Sequence, residues 1–433
     1  MPQRVVIGTG PDGLRAAAAL SAHGESVLLL QQGEGSAGLS RPDLAEHDGS
    51  IRIPAGTNRS AFEKVLGPLR DVPSPRLSVA RGGTTRCLPL RPDAVAGLLP
   101  DGVRRQAARA WVRARGRNAL AELVGGGQEE RTVRDWVVRR MGVPAYDTLY
   151  ADYAARRWGA PGRRLGASLA RRHHFIPDAA PRVLAAGGTE EVFAALAERI
   201  QADGEVRTGV AVERFHVEGG RVRGVVLRGG ETVESDGVWV EDTPARAVRW
   251  LGEAASAGLV VDAGRLPAAG RARVGLHGVD VASGEVVHLL DEGLSGWRVT
   301  GLGEGAAVVD CTLDAPPGPA LAQTVAAEVR EAGLGDARPD GGPVEWERHA
   351  VALWEVTTPA VLREVLGPLA AAGVVMVGAR GAVADLGPGE ALALALHHIA
   401  TESVDLREAQ RRFVQVPTRV EDLGARITRF VTR

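Results

Sequence analysis

The sequence predicts an α/β fold built on a parallel sheet. Three stretches carry that expectation. Arg4–Leu14 followed by Val27–Gln31 reads as an apolar strand, a glycine turn, a helix and a second apolar strand. Short alternating segments between Val206 and Val240 read as strands returning to a sheet. Val374–Val377 is another apolar strand, running into Gly378-Ala-Arg-Gly381 and a late helix.

The opening unit is the most specific. Gly8, Gly10 and Gly13 fit G-x-G-x-x-G between a strand and a helix, the context that gives the pattern meaning. Gly8 permits the tight turn, Gly10 a close backbone approach to a pyrophosphate, and Gly13 close packing of helix on strand. The helix is expected over Leu14–His23, with Gly24 as its C′ residue. Its unpaired N–H groups and macrodipole favour an anion. Ser26–Leu30 has the continuous apolar character of a parallel strand covered on both faces. That strand ends on Gln31, where a dinucleotide site usually carries Asp or Glu. Glu34 lies just beyond and offers a substitute, while Asp12 adds negative charge near the expected pyrophosphate. A βαβ unit that keeps this fold without binding a nucleotide has the same pattern, and both readings stay open here.

Composition narrows the function classes. The 433 residues suit two or three domains, and 45% hydrophobic with 24% charged residues is ordinary for a globular chain. A formal net charge of −1 gives no basic surface for nucleic acid or an anionic membrane. Lys64 is the only lysine, so a Schiff-base mechanism has one candidate. Cys87 and Cys311 form neither a metal pattern nor a disulfide framework and are expected to be buried free thiols. Met1 leads almost directly into the first strand, and the apolar run Ala391–Ala395 is too short to span a bilayer. A cytoplasmic location with no integral membrane segment is the expectation. A small-molecule substrate is the expected partner, and a homo-oligomer is left open.

Further along, Ala61 to about Arg172 is Arg-rich and helical, with helices over Val103–Leu123 and Thr132–Met141 and a hairpin over Leu77–Leu90 turning at Gly82-Gly83. A helix over Thr189–Ala202 is capped by Thr189. Strands follow at Val206–Val210, Ala211–Val217, Val222–Leu227 and Thr232–Val240, and Thr243-Pro244 opens a helix to about Leu251. Residues 270–350 mix strands and helices. The last helix is expected over Glu390–Thr401.

Taken in order, these blocks resemble the flavin amine oxidoreductase superfamily, which includes protoporphyrinogen oxidases, phytoene desaturases and UDP-galactopyranose mutase-like proteins. Val5–Leu14 looks like its FAD-binding start. Gly187–Leu196, Val206–Val212 and Gly224–Leu227 resemble its returning block. Trp136–Arg140 and Tyr150–Pro161 resemble a stretch of the mutase-like and protoporphyrinogen-oxidase-like branch. Val377-Gly-Ala-Arg380 looks like the glycine motif that closes over the flavin. The resemblance implies FAD as cofactor and a Rossmann-type FAD/NAD(P)-binding domain, discontinuous over 1–60, 180–245 and 370–433. An α+β substrate domain over 61–179 and 246–369 is inserted in it. It implies cofactor contacts at Gly8, Gly10, Pro11, Gly13, Gln31, Gly38, Val212, Gly378, Arg380 and Gly387, with backbone near Val212 meeting the adenine. The implied activity is oxidation of a C–N or C–C bond of a small organic substrate. A redox-neutral isomerase or mutase is one alternative, and a cofactor-free flavin-fold protein with a binding, accessory or cyclising role is another.

The chain departs from the family at several of those contacts. Gln31 stands where the family has Glu, and the paired glycines with Arg appear only as Ala37-Gly38-Leu39. Glu241 and Asp242 replace small residues before Thr243-Pro244, and Gly381–Gly387 lacks the mutase branch's polar and aromatic residues. The helix from Glu390 would point its positive end at a bound flavin, or is simply the last crossover helix. Arg380 reads either as a phosphate or flavin partner or as a salt bridge, and Tyr153 and Trp158 as pocket lining or core. The adjacent pairs His173-His174 and His397-His398 cannot each share a metal from one helix face, and His47 is a lone loop residue. No zinc-protease, nucleophile-elbow or P-loop pattern occurs, so no metal site and no catalytic acid or base is assigned.

Overall fold

The computed structural model describes residues 3–8, 10–32, 50–53, 59–72, 76–88, 92–123, 130–172, 183–266, 268–352, 355, 357–381 and 388–401. The chain divides into two compact units: Met1–Pro73 with Pro181–Pro267 and Thr357–Arg433, and Ser74–Ala180 with Ala268–Val356. Together they make a mixed α/β protein with a parallel sheet, the fold class expected from the sequence.

The first unit is organised by a five-stranded sheet. Its spatial order is Val374–Met376, Gly237–Glu241, Gln3–Gly8, Ser26–Gln31, Glu205–Thr208. Every neighbouring pair is parallel, so all five C-terminal ends lie along one edge. The chain's first strand is central, its second lies on one side, and a much later strand lies on the other. Strand order reverses at that point, and open α/β sheets form their ligand crevice there.

The helix Pro11–Ala22 covers this centre. Ala16, Ala17, Ala18 and Ala19 are all fully buried. Methyl side chains let the helix lie close to the sheet while Leu14 and Leu20 fill the gaps. The core continues through Leu29, Trp239, Leu196, Ile200, Leu392 and Leu396, drawn from the sheet and from the helices Thr189–Asp203 and Pro388–Thr401. Burying each such side chain stabilises the unit by about 1.5–3 kcal/mol. Helix Pro11–Ala22 ends at His23, and Gly24 then takes φ +87°, as its C′ role requires.

One expected strand is in fact two. Thr232–Glu234 pairs antiparallel in a small three-stranded sheet, whereas Gly237–Glu241 joins the parallel sheet. Ser235 makes the change of direction. Its Oγ accepts from the N–H of Val5 at 3.1 Å and contacts the Gln3 and Gly237 carbonyls at 2.9 and 2.7 Å. A local alternating pattern does not reveal that its two halves serve different sheets.

The second unit is built on a mostly antiparallel sheet that includes Ala268–Val279, Ala306–Leu313, Gly296–Gly303, Val286–Leu289 and the hairpin Leu77–Arg81/Thr84–Cys87. Gly82 and Gly83, both at positive φ, turn the hairpin as expected. The helix Leu321–Glu331 packs Val325, Ala326 and Val329 against one face of the sheet. Cys311 is buried in that core, but Cys87 is exposed, contrary to the sequence expectation. Its strand ends the sheet, so its side chains have no further strand to cover them. Among the described residues no helix is long and apolar enough to cross a membrane.

Candidate functional site

Three residues stand in one row across the C-terminal edge of the parallel sheet. Gly8 is in register with Gln31 on one side and Glu241 on the other. In-register residues of parallel strands present their side chains to the same face. Here it is the face covered by the opening helix: a Cβ built on Gly8 lies 3.4 Å from Leu29 Cδ1, 3.6 Å from Glu241 Oε2 and 3.6 Å from Gly13 Cα. Gln31 and Glu241 therefore flank the glycine turn.

Among the described residues, the N–H groups that open the helix can be accounted for. An α-helix leaves its N-cap and first three N–H groups without intrahelical partners. In this helix those positions are Gly10, Pro11, Asp12 and Gly13, and proline has no N–H. Gly10 and Gly13 both donate to Glu241 Oε2 at 2.8 Å, and Asp12 donates to Oε1 at 3.3 Å. One buried carboxylate takes every donor the helix start offers. Such charge-assisted bonds contribute about 1.5–3 kcal/mol each, and the helix dipole adds to them.

Asp242, the next residue, pairs with Arg246 at 2.8 Å, and Arg246 also donates to Gln32 Oε1 at 3.3 Å. Gln32 follows the second strand and Asp242 the strand beyond the first, so this link spans the end of the first strand. Its one sequence signal is the i,i+4 spacing of Asp242 and Arg246. Asp12 turns to Arg15 at 2.6 Å. Gln31 is 2% exposed, and neither its amide nitrogen nor its oxygen meets a hydrogen-bond partner among the described residues. Leaving such a group unmatched costs about 1–3 kcal/mol.

The late glycine motif comes to the same edge. Gly378 has φ +74°, and a Cβ on it would lie 2.7 Å from the Asp12 side chain. Arg380 lies in the short helix Gly378–Gly381. Val212 begins a strand of the separate three-stranded sheet and is 6% exposed. Gly38, Gly387, Leu39, Glu34, His47 and the pair His173-His174 lie outside the described residues. His397 and His398 are buried in the last described helix.

No protein-family model matches the chain, and no curated protein sequence matches it. Solved structures do. A crystal structure of reduced UDP-galactopyranose mutase superposes with a TM-score of 0.73 at 14% identity, over 100% of this chain and 98% of that one. An oxidoreductase from Methanosarcina mazei gives 0.60 at 16% identity, over 90% and 98%. A Pyrococcus furiosus protein gives 0.56 at 15% identity, over 94% and 100%. The chain has the α/β fold of UDP-galactopyranose mutase. At these identities the likeness is one of fold.

The sequence resemblance implies FAD, and the residues in place test the implication. A dinucleotide of this fold lays its pyrophosphate on the N–H groups at the helix start. Glu241 holds all three, and its Oε1 lies 2.8 Å from a Cβ built on Gly10. A pyrophosphate does not fit beside that carboxylate. Sequence reading noted Glu241 as a departure but not that it reaches the turn.

The second unit has its own buried polar cluster on the helix Ala151–Trp158. Tyr153 Oη lies 2.9 Å from His288 Nδ1 and accepts from Arg157 at 3.0 Å. Arg157 also lies 4.8 Å from the ring centres of both Trp158 and Trp297. Burial raises the Tyr153 pKa, and Arg157 opposes the rise. Tyr153 and Trp158 are each 1% exposed, the burial expected of core packing. Nearby, Asp310 is buried, which opposes its ionisation. Arg298, Arg271 and Arg273 outweigh that and hold its carboxyl below the usual range.

Proposed function

We propose that this chain works without a bound dinucleotide, as a flavin-fold protein with a binding, accessory or cyclising role toward a small molecule. One observation carries the reading: the Glu241 carboxylate satisfies every N–H that a pyrophosphate would need. The test is the visible spectrum of the purified protein, before and after incubation with FAD and gel filtration. A folded protein that keeps no flavin bands is the expected result. Retained bands at stoichiometric level overturn the reading.

The unmatched amide of Gln31 favours a second reading, because a buried polar group at the ribose position suits a ligand hydroxyl. It is an FAD-dependent oxidoreductase acting on a C–N or C–C bond, or a redox-neutral mutase. Retained flavin promotes this reading. Turnover that requires an electron acceptor then selects the oxidoreductase, and turnover without one selects the mutase.

A further inference from the structure

We infer that Glu241 is an intramolecular stand-in for a diphosphate, and that among the described residues it is the group that closes a site with the form to bind a nucleoside diphosphate. The inference rests on the cofactor-free reading above and goes further, because it assigns a latent ligand site to the chain.

The argument starts from space. Gly10 has φ −163°, an extended conformation open to any residue, so backbone geometry does not demand glycine there. What a Cβ would meet is Glu241 and nothing nearer: the three closest atoms are Oε1 at 2.8 Å, Cδ at 3.7 Å and Oε2 at 3.9 Å. Among the described residues, this one carboxylate is therefore what stands against Gly10. Removing it leaves a gap bordered by the N–H groups of Gly10, Asp12 and Gly13, at the start of a twelve-residue helix.

An independent observation points to the same ligand. Gln31 stands in register with Gly8, on the face of the glycine turn, with both polar atoms of its buried amide unmatched among the described residues. A carboxamide can both donate to and accept from a ribose hydroxyl. The row Gln31–Gly8–Glu241 thus holds a sugar-matching group, a close-approach glycine and an anion, in the order a nucleoside diphosphate would span. Two other described carboxylates near the turn are already paired, Asp12 with Arg15 and Asp242 with Arg246. Glu241 is the one whose removal frees donors.

The experiment measures binding of ADP, pyrophosphate and FAD to the full chain by titration calorimetry and thermal shift, for wild type, Glu241→Ser and Glu241→Gln. Serine empties the gap. Glutamine keeps the volume and the fold but lacks the charge that repels a phosphate, and it holds the N–H groups less tightly. Wild type is expected to bind none of the three. Glu241→Ser is expected to gain ADP affinity at least tenfold over wild type, with pyrophosphate weaker than ADP because it lacks the ribose. Glu241→Gln is expected to show a smaller gain. Should Glu241→Ser not fold, Glu241→Gln decides. Should neither fold, recovery of folded protein on refolding with ADP supports the inference, and no recovery overturns it. Folded variants that bind no better than wild type overturn it and leave the cofactor-free reading intact. Stoichiometric flavin retained by wild type overturns that reading first.

Discussion

Gly10 and Gly13 sit in one motif but are glycine for different reasons. A Cβ on Gly13 would lie 2.7 Å from the Gly8 Cα, a backbone atom that cannot move without shifting helix against strand. A Cβ on Gly10 would meet only the far end of the Glu241 side chain. Gly13→Ala should therefore destabilise the chain by roughly 1–3 kcal/mol, the usual cost of overpacking. Gly10→Ala should cost clearly less. Urea midpoints of the two variants check the order. Equal losses would mean that Glu241 is held as rigidly as backbone. At Gln31 the same scale shows a buried polar group with no partner among the described residues, a cost that a ligand or another residue would offset.

At the scale of elements, local chemistry explains where helices begin. The helix Val133–Met141 starts with a reciprocal cap: Thr132 Oγ1 accepts from Asp135 N at 3.0 Å, and Asp135 Oδ2 accepts from Thr132 N at 3.1 Å. Thr132→Ala should cost about 1 kcal/mol, and Thr132→Ser should recover most of it. Thermal melts of the two variants test this, and an uncorrected loss in the serine variant would place the cause in packing instead. The opening helix follows a different plan. Its cap comes from Glu241, 231 residues away from Gly10 in sequence. Its start is thus tied to the folding of a distant strand. In the second unit, Glu328 on the helix Leu321–Glu331 does a similar service, accepting from Ser295 N at 2.6 Å and Gly296 N at 2.9 Å.

Across the whole molecule, the stability of this −1 chain should fall on the acid side. Burial, with a smaller contribution from His397, lowers the His398 pKa from 6.5 to about 3. Above pH 6.5 the imidazole is neutral folded or unfolded and adds no pH dependence. Between those values the unfolded chain binds a proton that the folded chain refuses, so stability drops as pH falls. At two pH units below the unfolded value the loss is about 3 kcal/mol. Asp310, with its lowered pKa, acts in the same direction at still lower pH, because its stabilisation disappears as the carboxyl is protonated. Denaturant midpoints from neutral pH down to mildly acid pH should show the decline. His398→Phe should flatten it, and an unchanged slope would remove His398 as the cause. In the fold, His398 makes an edge contact with Trp239, 6.0 Å between ring centres, on the strand next to the first.

The glycine turn, its flanking strands, the C′ role of Gly24 and the hairpin at Gly82-Gly83 were legible because each depends on residues a few positions apart. Periodicity, steric freedom and helix-end chemistry act over that range. The substitution pattern at Gln31, Glu241 and Asp242 was legible too, as a set of departures. What their side chains do was not. Gln31 and Glu241 become neighbours of Gly8 only because the sheet places Gly237–Glu241 and Ser26–Gln31 on either side of Gln3–Gly8. Likewise the split of Thr232–Val240 between two sheets was decided by which strand edges were free to pair. By itself the sequence determined a nucleotide-type βαβ unit and the α/β class. Tertiary structure decided that the anion at the helix start is the chain's own, because hydrogen bonds answer to proximity in space.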